Sequence, residues 1–544
     1  MARWAGLAVW ACAFLSGLAL VVGTSGRAPA APRLLELGVG DGDAPFTGDR
    51  RLLTTVSPNG DGFRDAAVVS FRLDRPATVT MEAVRTDTAG SYGVKEATIW
   101  QTVKRLGRGR HRLEWRPRRS TPERTYILRL TARDAAGRTR TYGGYRPTAH
   151  TRVDSPVVRV QTLDLGFEKR SYAPGELGEI TLATDASSVR LQAFDYRPGQ
   201  VGTPHDPRTS GRPMTEPLRL DWRTHRDAPS RVRLVRTGDW PSGLYFLRAQ
   251  AGDGRLGYAP FIVRPRRLGE HRVAVVLSTN TWQAYNFRDA DGDGWGDSWY
   301  VSGRIHRVDL RRPYLDFGVP FRFKDWDLDF LAWLGRTNRS ADFLSDDDLG
   351  RISGDRLAAA YDLIVFPGHA EYVTAEAYDA VQRFRDLGGN LAFLSANNFF
   401  WSVRRQGQRI VKGTMWRRLG RPEAALVGAQ YAGSDSGVHQ GPYVVTGADA
   451  APWLFAGTGL RNGDQFGRYG VEIDTRTQAS PPGTIALARI PGLLPSGASA
   501  EMTYYETASG ASVFAAGALN FAASIGDPAV SRLVANVWER LSRP

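Results

Sequence analysis

The chain has 544 residues, 42% of them hydrophobic, with 59 Gly, 31 Pro and a formal net charge of +15. That length exceeds one hydrophobic core and implies about three domains, and the composition excludes a long disordered chain. The only cysteine, Cys12, lies at the extreme N-terminus, which excludes disulfides, Cys-ligated zinc and a thiol nucleophile elsewhere.

Residues 1–30 read as a signal peptide: Arg3 supplies the positive end, 4–23 is apolar, and Ala28, Pro29 and Ala30 offer a small-residue cleavage site. The apolar run is nearly long enough to span a bilayer, so an uncleaved anchor is the alternative. Export without disulfides suits a bacterial protein that is secreted or attached to the cell envelope. Membrane contact is expected only through 4–23. The basic run from Lys104 to Arg112 is broken by Gly107 and Gly109 and reads as a solvated face, so no nucleic-acid partner is expected.

Residues 50–150 alternate apolar and polar positions in short runs such as 67–73, 77–81, 111–115 and 126–132, with turn signals between them. That pattern predicts an antiparallel β-sandwich. Ahead of its first strand, Ser57-Pro-Asn-Gly-Asp-Gly-Phe-Arg-Asp65 places Asn59, Asp61 and Asp65 either in Asx turns or around a calcium ion. With the later Thr-Tyr-Ile-Leu-Arg-Leu-Thr-Ala run, this loop resembles the Ig-like module of flagellar hook-capping and gliding-motility C-terminal domains. Residues 155–265 repeat the style, with runs at 157–160, 179–182, 189–193 and 243–250, and predict a second Ig-like sandwich.

From 268 to 544 strands alternate with helices, which predicts an α/β domain with a mainly parallel sheet. Its most informative stretch is 361–372, Tyr-Asp-Leu-Ile-Val-Phe-Pro-Gly-His-Ala-Glu-Tyr. A buried strand ends in Pro-Gly and delivers His369, Glu371 and Tyr372. An amphipathic helix follows over 374–387, and the next strand, 391–394, leads to Asn397 and Asn398. Ligands of parallel sheets bind at such carboxyl ends, so these residues are candidates for metal binding or proton transfer. Helix capping by His369 and Glu371 is the alternative. Asp289, Asp291, Asp293 and Asp297 follow the alternate-position spacing of a calcium loop, with Tyr300 where a bidentate glutamate would stand. They predict a structural calcium site. Asp527 and Pro528 open a last helix running to Leu541.

The stretches at 278–286, 366–372, 388–401, 469–474 and 505–520 together resemble the large subunit of N,N-dimethylformamidase and its relatives. The resemblance implies a fold like class I glutamine amidotransferases, but without their turn cysteine. It implies hydrolysis of a C–N amide bond at a mononuclear iron held by two tyrosines and a glutamate. Tyr372 and Glu472 match two of these ligands. The second tyrosine has no match, because Phe400 and Phe343 stand where relatives often carry tyrosine. His369 and Glu371 are then the catalytic proton-handling pair, and Trp282, Tyr285, Asn286, Asn397 and Asn398 line the substrate cleft. The second reading is a non-catalytic surface protein that binds through the same cleft with a degenerate metal site. Expected partners are a small-molecule amide or a surface ligand, with homo-oligomerisation open.

Overall fold

The computed structural model describes residues 30–90, 93–144, 154–196, 201, 206, 208–300 and 305–543. The expected signal peptide or anchor, residues 1–29, lies outside them. Among the described residues no helix is long and apolar enough to cross a membrane.

The chain is β-rich and multidomain, with few helices. In the first sandwich a three-stranded sheet of Leu34–Gly40, Ala67–Leu73 and Gly109–Trp115 faces a sheet built on Ala77–Gly90 and Arg124–Arg133. Alternation in Ala67–Leu73 places Val69 and Phe71 in a core with Trp115, Met81 and Leu128. Val157–Val160, expected in the second sandwich, pairs with Leu53–Val56 and Arg124–Arg133 and so completes the first. The loop ahead of Ala67 forms Asx turns: Asn59 accepts from the Asp61 amide and Asp61 from the Phe63 amide. The second sandwich sets Asp164–Phe167, Leu177–Ala183 and Ser230–Arg236 against a sheet centred on Ser188–Tyr196, Gly243–Ala251 and Leu256–Val263.

The C-terminal unit is a nine-stranded sheet with apolar clusters on both faces. Asp342–Ser345, Val273–Leu277, Leu363–Phe366, Asn390–Phe393 and Ser512–Ala515 pair in parallel, in that order. Ala500–Glu506, Ile485–Ile490, Gln440–Val445 and Gln465–Gly470 then continue the sheet antiparallel. The expectation of a mainly parallel sheet is corrected to a mixed one. Its second half is joined partly by tight connections such as 507–511, too short for the crossover that parallel neighbours require. Thr374 caps the helix Ala375–Asp386 with its side chain, and Asp527 caps Pro528–Leu541. Neither His369 nor Glu371 is needed as a cap.

The three units share closed seams. Leu244 and Ile262 of the second sandwich belong to the same core cluster as Val275 and Trp282. At the other seam Arg288 is bound by Glu123 at 2.8 Å and by Asp164, one residue from each sandwich. Burial opposes ionisation of Asp164, but Arg288 outweighs it and brings the carboxyl down to about 2. Burial and the Asp164 charge hold Glu123 well above its usual range. Removing one member of a buried ion pair costs about 3–5 kcal/mol, because the remaining charge is stranded. Arg288→Ala is expected to lower unfolding stability by that amount in urea titrations. A loss below about 1 kcal/mol, as surface pairs give, would show that this seam does not hold the units together.

Candidate functional site

The site forms where the strand Leu363–Phe366 ends. Its next residues are fastened to the segment after Asn390–Phe393: the Phe399 amide donates to Ala370 O at 2.7 Å, and the Phe400 and Trp401 amides donate to Glu371 O at 3.1 and 2.9 Å. Tyr372–Thr374 then pairs in parallel with Trp401–Gln406. This lacing aims the side chains of His369, Glu371 and Tyr372 inward, all nearly sealed from solvent.

A third segment supplies Tyr285. The short helix Thr279–Ala284 follows the strand Val273–Leu277 directly, and the Tyr285 amide closes it on Thr281 O. The Tyr285 hydroxyl donates to Glu371 and lies 3.3 Å from His369 Nε2. The Tyr285 and Tyr372 rings meet edge to face at 5.8 Å. Glu472, from the strand Glu472–Thr475, completes the set 3.5 Å from His369 Nε2, with Glu371 at 3.4 Å from the same nitrogen. Two phenols, two carboxylates and one imidazole therefore converge.

Their electrostatics are one-sided. Burial alone would lower the His369 pKa, but Glu472 and Glu371 outweigh it and raise it to about 9. Burial raises Tyr285 and Tyr372 well above the usual phenol range, with Glu371 adding to both. Burial, opposed by His369 and assisted by Glu371, also raises Glu472. His369 Nδ1 lies 3.1 Å from Ala396 O and donates to it, which leaves Nε2 to face the acids. The donor set is all oxygen apart from this one nitrogen, and it holds more acid than base. Such a set suits a hard cation. The buried Asn397 Oδ1, unpartnered beside Glu472, is a further free oxygen.

Backbone strain gathers here. Asn397, Phe399 and Val471 have φ of 55°, 57° and 68°. In a β-branched residue that value is an outlier which surrounding structure must enforce. At Val471 it turns the chain so that Glu472 enters the site. Asn397 Nδ2 donates to Glu472 at 2.8 Å and its amide donates to Asp474 at 2.8 Å.

Of the residues expected in the cleft, Tyr285 and Asn397 reach the site. Trp282 sits behind it, donating to Asp327 at 3.2 Å. Asn286 faces away and binds Gln283 and Pro313 O. Asn398 accepts from the Ala370 amide at 3.4 Å and braces the turn. Phe400 packs on Tyr431, and Phe343 packs against the core of the sheet.

Asp327 is not among the residues expected at the site, although the sequence marks it. It shares a helical stripe with Phe330, Leu331 and Leu334, and an acid on an apolar stripe needs a reason. The structure gives one: its carboxylate lies behind the site against Gly368, where any Cβ would come within 2.4 Å of Oδ1.

The acidic loop 289–297 lies on the far side of the same segment. Asp289 accepts from the Gly292 and Gly294 amides at 2.7 and 2.8 Å, and Asp297 from the Ala290 amide at 2.8 Å. Asp289, Asp291 and Asp297 each present an oxygen within 4.8 Å of the others. Asp293 is adjacent, pushed up to about 8 by burial and by Asp289 and Asp291. The loop presses on the first sandwich: Arg50 donates to Asp291 O and Gly292 O, and a Cβ on Gly294 would strike Ile127 at 2.5 Å.

A β-rich multidomain chain with a carboxylate–tyrosine–histidine centre at a strand end is the class that fold and site define. The family model described as N,N-dimethylformamidase beta subunit-like, C-terminal, matches residues 206–532, more than half of the chain, and the chain belongs to that family. The match begins inside the second sandwich. No curated protein matches the chain. Among solved structures, Escherichia coli alpha-2-macroglobulin activated by porcine elastase is similar at 11% identity over 43% of this chain and 20% of that one, with a TM-score of 0.17. The Yersinia pseudotuberculosis adhesin InvE is similar at 14% identity over 43% and 59%, with a TM-score of 0.14. This chain thus spans about a fifth of the length of the first. Scores this low carry no argument about the fold, which rests on the strand order above.

Burial holds the Asp327 carboxyl up at about 7, with Trp282 and His369 opposing. The folded state therefore keeps a proton that the unfolded chain releases near pH 4, and stability falls as pH rises from there to about 7. At 1.36 kcal/mol per unit this is on the order of 4 kcal/mol. Asp327→Asn, which mimics the protonated acid, is expected to gain stability over the wild type progressively between about pH 4 and 7. Parallel stability–pH curves for the two proteins would refute this.

Proposed function

We propose that the protein is a metal-dependent hydrolase of C–N amide bonds in an α/β unit of the glutamine amidotransferase type. Family membership supports the reaction class. The observation that carries the metal reading is Tyr285, whose ring meets that of Tyr372 and whose hydroxyl lies 3.3 Å from His369 Nε2, itself 3.5 Å from Glu472. It is the second tyrosine that the sequence left unmatched, and the case for a degenerate site rested on that gap.

Tyr285, Tyr372 and Glu472 would hold the ion, and their hard oxygens suit ferric iron. When bound, iron supplies a Lewis acid that polarises an amide carbonyl and lowers the pKa of water. The chain's own groups divide the remaining work. Glu371 Oε2, fixed by the Tyr285 hydroxyl and facing His369 Nε2, is placed to take a proton from attacking water. His369, anchored at Nδ1, is placed to return one to the leaving nitrogen from Nε2. Asn397 orients Glu472, and Thr281 Oγ1 accepts from the Glu371 amide at 3.2 Å. Tyr300, Phe321 and Trp326 wall the cluster around Tyr285 and keep bulk water out. We also read the protein as exported, with residues 4–23 as signal or anchor.

Tyr285→Phe, Tyr372→Phe and Glu472→Gln are each expected to lose stoichiometric iron by elemental analysis and to lose amide hydrolysis, while keeping the wild-type circular dichroism. Full iron content in Tyr285→Phe would remove that residue from the ligand set.

We further propose structural calcium at Asp289, Asp291, Asp293 and Asp297, where carboxylates crowd together and three of them present oxygens within 4.8 Å of one another. An ion that binds only the folded state stabilises by about 2.7 kcal/mol at a hundredfold excess over Kd. Calcium should therefore raise the melting temperature of the full chain, and Asp291→Ala with Asp293→Ala should cancel the rise. A wild-type melting curve unmoved by calcium would rule the site out.

A further inference from the structure

Lysine is rare in this protein: five of the 71 basic residues are lysine, and one of them stands beside the site. Lys412 lies on the strand Arg409–Met415, opposite Val403 of Trp401–Gln406, which in turn pairs with Tyr372–Thr374. Its ammonium sits 4.2 Å from the Trp401 ring centroid and 5.8 Å from those of Trp299 and Tyr372. Three aromatic faces attract the cation. An ammonium has three N–H donors. No hydrogen bond or ion pair takes them among the described residues.

A second donor is left open at the same place. The Trp299 indole Nε1 is buried without a partner, and its ring packs on Tyr372 at 5.0 Å. An unmet buried donor costs about 1–3 kcal/mol. Both donors border Tyr372 on the side served by Trp401 and Lys412. A small neutral amide has one strong acceptor, its carbonyl, which the Tyr285–Glu371–Glu472 end would employ. It would leave both donors idle.

We propose that the substrate is an amide that carries a carboxylate, an N-acyl amino acid in type, with the carboxylate bound by Lys412 Nζ and Trp299 Nε1 and the amide directed to the Tyr285–Tyr372–Glu472 centre. This rests on the amide-hydrolase reading for the reaction, but binding is measured independently of it. Two acceptor oxygens match two donors, and charge-assisted bonds of this kind are the stronger ones. Trp401 supports the ammonium from one side. Specificity follows from the unmet donors, because a ligand without the anion leaves them unpaired.

The test is calorimetric titration of the full chain with N-acetylglycine and with N-acetylglycinamide, its neutral counterpart, alongside an assay for release of glycine or glycinamide. The acid is expected to bind at least tenfold more tightly than the amide. Lys412→Gln should erase that preference, Lys412→Arg should keep part of it, and Trp299→Phe should weaken the acid several-fold with little effect on the amide. Undetectable binding of the acid, equal binding of the two probes, or a preference that survives Lys412→Gln overturns the proposal. A Lys412-dependent preference without turnover supports the carboxylate subsite and counts against the hydrolase reading alone.

Discussion

The buried contact of Arg288 with Glu123 and Asp164 is the constraint on which the site's geometry depends. Arg288 lies three residues after Tyr285, on a segment whose inner side delivers Thr281, Tyr285 and Trp299 to the centre. The outer side of that segment, from Arg288 to Asp297, is gripped by both sandwiches. Glu123, Asp164, Arg50 and Ile127 are therefore part of what places the Tyr285 hydroxyl on Glu371. The sandwiches of this chain do more than space out its units, because their rims form one wall of the mould in which the site is cast.

Inside that mould the problem is one of charge. Glu371 and Glu472 share a single histidine in a place almost without water, and both tyrosines are denied ionisation. Protein groups of this kind are costly to bury unless something compensates them. Strain at Asn397, Phe399 and Val471 adds to the expense. A fold selected only for stability would not bring four acids together over left-handed backbone. The arrangement makes sense if the acids are meant to share a cation and to move protons around it.

Much of this is legible in the amino-acid sequence. The apolar runs at 273–277, 363–366 and 391–394 with glycine and proline stops announce buried strands, and the Thr374 and Asp527 caps announce helices, because those signals act between near neighbours. His369, Glu371, Tyr372 and Asn397 follow from the same logic, since strand ends are local features. The assignment of Val157–Val160 to the second sandwich fails for a related reason: alternation shows that a segment is a strand but not which sheet will pair with it.

What tertiary structure alone decided was partnership across distance. Tyr285 and Tyr372 are separated by 87 positions, and no spacing rule links them; only the parallel order of Val273–Leu277 beside Leu363–Phe366 brings the residues that follow each strand to one place. Lys412 reached Tyr372 through two strand pairings, and Asp327 came to Gly368 through a helix packed behind the turn. Residue chemistry and local conformation were thus set by the sequence in short windows. The charge balance of the site, the approach of Tyr285 to Tyr372 and the closure of the seams depend on long-range pairing, which follows from the energy of the whole fold.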